Sequence, residues 1–172
     1  MVIDGNRYSD GASDSKEDRV SKTQVPAVEG MFTMEDEPRL IGGKVPGRET
    51  YFFPKHVAGG DPGVPGGYEL EEVLLSRTGK VWSYTSSDYQ PPSPFRPSTD
   101  PYVPITVAAV ELEKEQMVVL GQCVAGVTPA DLTVGTEMEL VVDTLYEDDE
   151  NEYMVWKWKP VAMSDGAAGE NG

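Results

Sequence analysis

The strongest constraint on the fold of this chain is a pair of short apolar runs, at residues 105–110 and 117–124, separated by a charged turn. Two such runs around a polar turn are typical of a β-hairpin. The segment before them, residues 90–104, contains six prolines, which lack the N–H donor that a central strand needs. We therefore predict a hairpin preceded by an exposed, proline-stiffened loop, which is a plausible contact surface.

Further strand-like runs follow the same pattern at residues 68–75, 80–85, 137–142 and 153–160. Thr128 and Pro129 suit the N-cap and the first position of one short helical turn. No long segment shows helical periodicity. The sequence therefore predicts a mainly β protein, built on a small five-stranded barrel of the OB-fold type.

The chain of 172 residues divides into four expected parts. Residues 1–30 are polar and cannot bury enough apolar surface to offset the entropy of ordering, so we expect a tail that is flexible in isolation. Residues 31–67 are rich in glycine and proline and predict a small module that must lean on a larger body. Residues 68–162 form the barrel, and residues 163–172 are expected to be a disordered tail.

Charge argues against nucleic acid as a ligand. The chain has 14 Lys and Arg against 30 Asp and Glu, a formal net charge of −16, whereas binding to a phosphate backbone depends on cationic contacts. Trp156 and Trp158 could stack on bases, but the charge favours a packing role for them. The acidic run at 147–152 lacks the pattern of a calcium loop and predicts a solvated hairpin tip.

Cysteine and histidine, the usual nucleophile and zinc-ligand residues, are scarce in this chain. The chain has one cysteine, Cys123, and one histidine, His56, so neither an intramolecular disulfide nor a cysteine zinc site is available. No nucleophile-elbow or phosphate-loop pattern is present. The composition therefore favours a binding or scaffolding role over an enzyme.

Membrane and export signals are also missing from the sequence. No apolar stretch approaches the ~18 residues that would span a membrane, and no basic start followed by an apolar core marks a secretory signal. The predicted compartment is the cytoplasm.

Several short motifs, in order, resemble those of a known family. They are LIGGK at 40–44, FPK at 53–55, GKVWSYT at 79–85, PP at 91–92, PYVP at 101–104, AAVEL at 108–112 and GTEM at 135–138. The chain thereby resembles, over about residues 39–160, the acyl-CoA-associated OB-fold proteins that carry an N-terminal rubredoxin-like zinc ribbon. GKVWSYT is the most characteristic of these motifs.

That resemblance implies a role as the small partner of a thiolase-like or lipid-transfer-protein-like enzyme. Some such enzymes serve acetoacetyl-CoA synthesis, and others cleave steroid side-chain CoA thioesters by a retro-aldol reaction. The catalytic residues would lie in the partner, in a hetero-oligomer, and the partner would bind most of the CoA thioester. The ending VWKWKP at 155–160 is more similar to the steroid branch.

Two sets of site residues follow as expectations. The first set would contact the partner enzyme: Tyr51, Phe52, Phe53, Tyr89, Pro91, Pro92, Phe95 and Tyr102. The second set comprises the cations of the ribbon-like module, Lys44, Arg48 and Lys55, which are candidates for contact with CoA phosphates.

The chain departs from the family at the zinc ligands. Val45 and Arg48 stand where the first cysteine pair of the ribbon is expected, and residues 59–67 contain no cysteine. We therefore expect a degenerate, metal-free ribbon, with turns and the packing of Tyr51, Phe52 and Phe53 against the partner holding its shape. No cofactor is expected, and zinc in particular is not.

Three functions remain open on the sequence. The leading one is a non-catalytic subunit of an aldolase that cleaves a steroid side-chain acyl-CoA, with a subunit of an acyl-CoA or acetoacetyl-CoA thiolase as its variant. The second is a single-stranded nucleic-acid-binding OB-fold. The third is a free-standing acyl-CoA enzyme with Asp88, Tyr89 or His56 as acid or base.

Overall fold

The computed structural model describes residues 22–55, 61–63 and 67–162. These residues form nine strands and one short 3-10 helix. The strands are β1 (Thr23–Pro26), β2 (Ile41–Lys44), β3 (Tyr51–Phe52), β4 (Glu71–Leu74), β5 (Thr78–Ser87), β6 (Ile105–Leu112), β7 (Met117–Cys123), β8 (Glu137–Glu147) and β9 (Asn151–Pro160), and the 3-10 helix spans Pro129–Asp131.

The last five strands close into a barrel. β5, β6 and β7 pair antiparallel in sequence order, β7 pairs parallel with β9 at Gln122 and Cys123, β9 pairs antiparallel with β8, and β8 returns to β5. This is the strand order of an OB-fold, so the predicted fold class is confirmed. The hairpin predicted from the two apolar runs is β6 and β7, and the predicted helical turn after Thr128 is the 3-10 helix.

Alternation along the strands places the core inside the barrel. In β6, Ala108, Val110 and Leu112 are fully buried, and Trp158 of β9 lies among them with no exposed surface. Gly121 of β7 makes room for this ring, because a Cβ atom there would lie 2.9 Å from the Trp158 indole. The predicted packing role of Trp158 is therefore confirmed.

Strand β5 contains a bulge that the sequence did not predict. Its pairing with β6 shifts between Val81 and Ser83, so Trp82 is an extra residue in the strand. Val81 points into the core, whereas Trp82 is 60% exposed.

Part of the expected N-terminal tail is ordered. Residues 1–21 lie outside the described residues, but Thr23–Pro26 forms β1 and pairs parallel with β9 from Asn151 to Met154. β7 pairs with β9 only at residues 157 and 158, so the first residues of β9 have backbone groups on the same edge that β7 does not bond. β1 pairs with these groups. Main-chain bonds from Thr23 N–H to Glu150 and from Ala27 N–H to Met154 flank the pairing.

The small module forms a separate three-stranded sheet in the order β3-β2-β4. Its third strand, β4, lies in the 68–75 run that we expected to belong to the barrel. Backbone pairing of Ile41–Lys44 with Glu71–Leu74 draws that run into the module, so the module does not end at residue 67. His56 and the expected tail at 163–172 lie outside the described residues.

One tryptophan joins the module to the barrel. Trp156 of β9 makes edge-to-face contacts with Phe32, at 5.9 Å between ring centroids, and with Phe53, at 5.6 Å. Leu40 immediately precedes β2, and Leu75 immediately follows β4. Both are fully buried in the same core cluster as the barrel residues. Module and barrel therefore share one hydrophobic core. None of the residues in the described ranges forms a helix long and apolar enough to cross a membrane.

Candidate partner-binding surface

The aromatic residues of the module mostly face the protein itself. Phe53 packs on Trp156, and the Tyr51 hydroxyl donates a hydrogen bond to Glu49 at 2.6 Å. Tyr51 and Phe52 lie in β3 opposite Lys44 and Gly43, and each is half-buried. Tyr51 and Phe53 thus pack within this chain, and the expected packing of Tyr51, Phe52 and Phe53 against the partner stays a prediction.

Each of the three candidate CoA-binding cations already faces a carboxylate. Lys44 pairs with Glu49, Arg48 Nε lies 3.4 Å from Asp61 Oδ2, and Lys55 Nζ lies 3.2 Å from Glu72 Oε2. The hydrogen bond to Glu49 raises the pKa of Lys44, and the same bond lowers the pKa of Glu49. A CoA phosphate would have to displace a carboxylate at each position. The role of these three cations in CoA contact stays a prediction.

The positions of the expected zinc ligands do not suit zinc. Val45 is fully buried and apolar, and Arg48 brings a positive charge to the second position. Zinc sites of ribbon type need thiolate or imidazole donors, which neither residue supplies. Among the residues that the structure describes, no three His, Cys, Asp or Glu side chains converge as metal ligands.

Asp61 connects residues 48–50 of the module with residues 63 and 68. Its carboxylate faces Arg48 and accepts hydrogen bonds from Thr50 Oγ1 at 3.0 Å and from the Gly63 N–H at 2.7 Å. Its own N–H donates to the Tyr68 hydroxyl at 2.8 Å. The bond from Gly63 is the main cause of the lowered pKa of Asp61. A charged, multiply bonded carboxylate therefore crosslinks the segments that metal ligands would join.

The proline-rich loop folds back onto the end of the barrel. Tyr102 donates its hydroxyl to the Ser87 carbonyl at 2.8 Å, and its ring meets Phe95 edge-on at 6.3 Å. Arg96 stacks over Tyr146 at 5.2 Å from the ring centroid. The loop is therefore held in place by its own contacts, with Phe95 and Tyr102 half-buried.

Three residues of the predicted partner-contact set lie at the tip of the proline-rich loop with exposed or partly exposed side chains. Tyr89 is 76% exposed, Pro92 is exposed, and Pro91 is half-buried. These three residues remain available to a partner at the tip of the loop.

A second surface was missed by sequence reasoning. The outward side of β5, β6 and β7 carries a row of uncharged residues, which we call the outer apolar face: Trp82, Ser83, Thr85, Val107, Ala109 and Leu120. Leu120 is 64% exposed, although it lies in the second apolar run of the predicted hairpin. The alternation of β7 could have indicated it, because Val119 and Cys123 are buried while Val118 and Leu120 are not.

An open groove lies at the other end of this sheet. It has a volume of about 630 Å³ and is lined by Lys80, Lys114, Glu111, Glu113 and Glu137 among others. Three acids against two lysines give no net attraction for a phosphate group, so this groove is a poor CoA site.

Nucleophilic chemistry finds no support at Cys123. The thiol is buried in the barrel, and desolvation raises its pKa to about 11. A buried thiol of high pKa is inert at neutral pH. Asp88 is exposed and accepts a hydrogen bond from Ser86 Oγ at 2.8 Å, so it does not lie in a water-excluded site.

The fold and its surfaces define a class of protein: an OB-fold barrel that shares its core with a small β module and exposes an apolar sheet face. Comparison with known proteins agrees. Residues 72–143 match the family described as ChsH2, C-terminal OB-fold domain. A DUF35 domain-containing scaffold protein from Pyrococcus furiosus is 35% identical over 131 residues, which cover 74% of this chain and 87% of that protein.

The chain belongs to this DUF35 family of ChsH2-type OB-fold proteins, as the sequence motifs predicted. Among solved structures it is similar in fold to a chain of the Ltp2-ChsH2(DUF35) aldolase, with a TM-score of 0.53 and 23% identity. That alignment covers 72% of this chain and 86% of the other.

Proposed function

We propose that this protein is a non-catalytic accessory subunit that binds and stabilises an aldolase of the Ltp2 type. The observation that carries the proposal is family membership across most of the chain, with a relative named as a scaffold protein. The fold is also that of a chain in an aldolase whose name joins Ltp2 to ChsH2. The outer apolar face and the tip of the proline-rich loop supply surface for such a partner.

The reaction of the complex would be the retro-aldol cleavage of a steroid side-chain acyl-CoA, carried out by a thiolase-fold partner. The partner would hold most of the CoA thioester, because Lys44, Arg48 and Lys55 are each paired with a carboxylate in this chain. No cofactor of this chain's own is part of the proposal, and the predicted cytoplasmic location remains part of it.

Two alternatives make different predictions. A subunit of an acyl-CoA or acetoacetyl-CoA thiolase would associate with a thiolase rather than with an aldolase. A single-stranded nucleic-acid-binding protein would need cationic contacts, and the net charge of −16 opposes them.

The test is co-expression of this chain with the Ltp2-type aldolase of the same organism. We expect a stable hetero-oligomer, an aldolase that is less soluble when it is expressed alone, and acyl-CoA cleavage by the complex but not by this chain. Separate migration of the two chains in size-exclusion chromatography, with full activity of the aldolase alone, would overturn the proposal. A thiolase from the same organism provides the matched comparison for the alternative.

A further inference from the structure

Several exposed apolar side chains of the described residues lie in strands β5 and β7 or in the loop between β5 and β6. Ten large hydrophobic residues in the described ranges are exposed, and five of them lie in β5, in β7 or in the loop that joins β5 to β6. They are Trp82, Tyr89, Val103, Val118 and Leu120. Apolar exposure concentrated in this way marks interaction sites more often than single scattered residues do.

The strand pairing places Leu120 in an outward row of uncharged residues on this sheet. Ser83 lies opposite Ala109, and Ala109 lies opposite Leu120, so the three form one row across the sheet. Thr85, Val107 and Gln122 form the next row. The bulge before Ser83 places the adjoining Trp82 beside the first row with most of its ring in solvent.

The middle of the outer apolar face is a shallow depression of about 90 Å³. Its lining includes Ala109 and Val107 in the centre, Leu120 on one side and Ser83 and Thr85 on the other. The small side chain of Ala109 leaves the space open. A depression of this size accepts one apolar side chain from a partner, while Trp82 projects outward beside it. Tryptophan and filled pockets of this kind dominate the binding energy of interfaces.

Charge surrounds the face but does not enter it. Both rows consist of uncharged residues, although Asp, Glu, Lys and Arg make up 26% of the chain. At one end Lys80 lies opposite Glu111, and at the other Asp88 follows β5. The surface therefore has an uncharged centre and charge at its rim, as stable interfaces do.

We infer that the outer apolar face, where Leu120 lines the depression and Trp82 projects beside it, is the surface that docks the aldolase subunit. This inference rests on the proposed function and names where the contact is made. The matching surface of the aldolase presents an apolar side chain to the depression and neutral or basic residues around it. A second copy of this chain fits less well, because two chains of formal charge −16 repel each other.

The test uses the co-expressed complex of full-length chains. Leu120→Glu places a carboxylate at the wall of the depression, and Val28→Glu, at a 48% exposed residue that follows β1, introduces the same charge elsewhere. We expect Leu120→Glu to weaken the complex by about 10-fold or more, the loss typical of an important apolar contact, and Val28→Glu to leave it unchanged. Thr85→Tyr fills the depression with a strand-compatible side chain and should have the same effect as Leu120→Glu.

Each outcome has a defined meaning. If Leu120→Glu does not fold, as judged by circular dichroism and melting temperature, Thr85→Tyr provides the answer. Folded Leu120→Glu and Thr85→Tyr variants that bind the aldolase as well as the wild type would overturn this inference while the proposed function stands. Failure of the wild-type chain to bind the aldolase would instead overturn the proposed function. A dimer of this chain alone that Leu120→Glu dissociates, or binding of a single-stranded oligonucleotide at low salt that it abolishes, would assign the face to another occupant and overturn the inference.

Discussion

The indole nitrogen of Trp156 lies 3.2 Å from the backbone carbonyl oxygen of Leu120 and donates a hydrogen bond to it. β7 pairs directly with β9 only at Gln122 and Cys123, so this side-chain bond continues the contact where the ladder stops. The same ring receives Phe32 and Phe53 from the small module. Trp156 therefore closes the barrel seam on one side and holds the module on the other.

This position predicts a graded response to substitution. Trp156→Phe keeps the ring contacts but loses the hydrogen bond, and we expect about 1 kcal/mol of destabilisation. Trp156→Ala also loses the contacts with Phe32 and Phe53, and we expect about 2–3 kcal/mol, below the value for a fully buried tryptophan. Urea unfolding followed by circular dichroism measures both. Equal losses for the two variants would show that the ring contacts contribute nothing.

A second prediction concerns Lys157, which is largely buried in β9. Its Nζ lies 2.7 Å from Asp143 Oδ2 and 2.8 Å from the Thr144 carbonyl oxygen. Asp143→Ala leaves the ammonium without its counter-ion, and because Asp143 is partly exposed we expect about 1–2 kcal/mol of destabilisation rather than the loss seen for fully buried pairs. The double variant Asp143→Ala/Lys157→Met should recover part of that loss in urea unfolding. A double variant less stable than Asp143→Ala alone would contradict the assignment.

A third prediction concerns Glu115 in the turn between β6 and β7. The side chain is 5% exposed, and Oε1 accepts hydrogen bonds from the N–H and the hydroxyl of Ser76, at 2.9 and 3.0 Å. Its other oxygen, Oε2, has no hydrogen-bond partner among the described residues. Glu115→Gln keeps an acceptor for Ser76 and should be close to neutral, whereas Glu115→Ala leaves the Ser76 donors unpaired and should cost about 2 kcal/mol. Thermal unfolding of both variants tests the difference, and equal melting temperatures would contradict it.

The fourth prediction follows from Cys123. Burial raises the pKa of this thiol from 9.0 to about 11. The folded state therefore holds the proton more tightly than the unfolded state, and the stability associated with this group is present below pH 9 and is lost as the pH rises towards about 11. Native protein at pH 8 should react slowly with iodoacetamide and react rapidly in guanidinium. The Cys123→Ala variant, which lacks the only thiol, is the control, and rapid labelling of native protein would contradict the buried assignment.

The fifth prediction concerns Asp61. Its pKa is lowered by the Gly63 N–H and then by Thr50 and Arg48, so its contribution to stability is present above the unfolded value of 3.8 and is lost as the pH falls through the lower folded value. Asp61→Asn should loosen the module, which hydrogen exchange at residues 48–63 would detect, while added zinc or a chelator leaves the wild type unchanged. Exchange in the variant equal to that in the wild type, or protection in the wild type that depends on zinc, would contradict the role given to this carboxylate.

Local patterns in the sequence predicted most of the barrel. The apolar runs that became β6 and β7, the alternation in residues 80–85 and the turn at Thr128 and Pro129 depend on neighbours in the chain, and each was found. The family was also found from the motifs at 40–44 and 79–85. The packing of Trp158 followed from the charge of the chain and the apolar content of β9.

Features that depend on distant pairing were not found from the sequence. Residues 23–26 are polar and read as tail, because nothing near them indicates that β9 offers an open edge. Residues 71–74 read as a barrel strand, because their partners in β2 lie 27 to 33 residues earlier. The alternation of β7 could have indicated the exposure of Leu120, whereas that of Trp82 depends on one bulge, so the outer apolar face as a whole could not be predicted from local composition. The carboxylate partners of Arg48 and Lys55, which lie 13 and 17 residues further along the chain, were missed for the same reason. Glu49, the partner of Lys44, is only five residues away and was missed although it is local.

Strand β1 has one further consequence, which concerns self-association. The N–H groups of Thr23 and Ala27 point towards β9, so alternation directs Gln24 and Pro26 away from it. Proline carries no amide hydrogen, and the outer rim of β1 therefore offers Gln24 as its single donor between those two residues. A strand from another molecule would have too few donors at this rim to extend the sheet. Pro26 therefore disfavours the addition of further chains, and so fibril formation, at this edge.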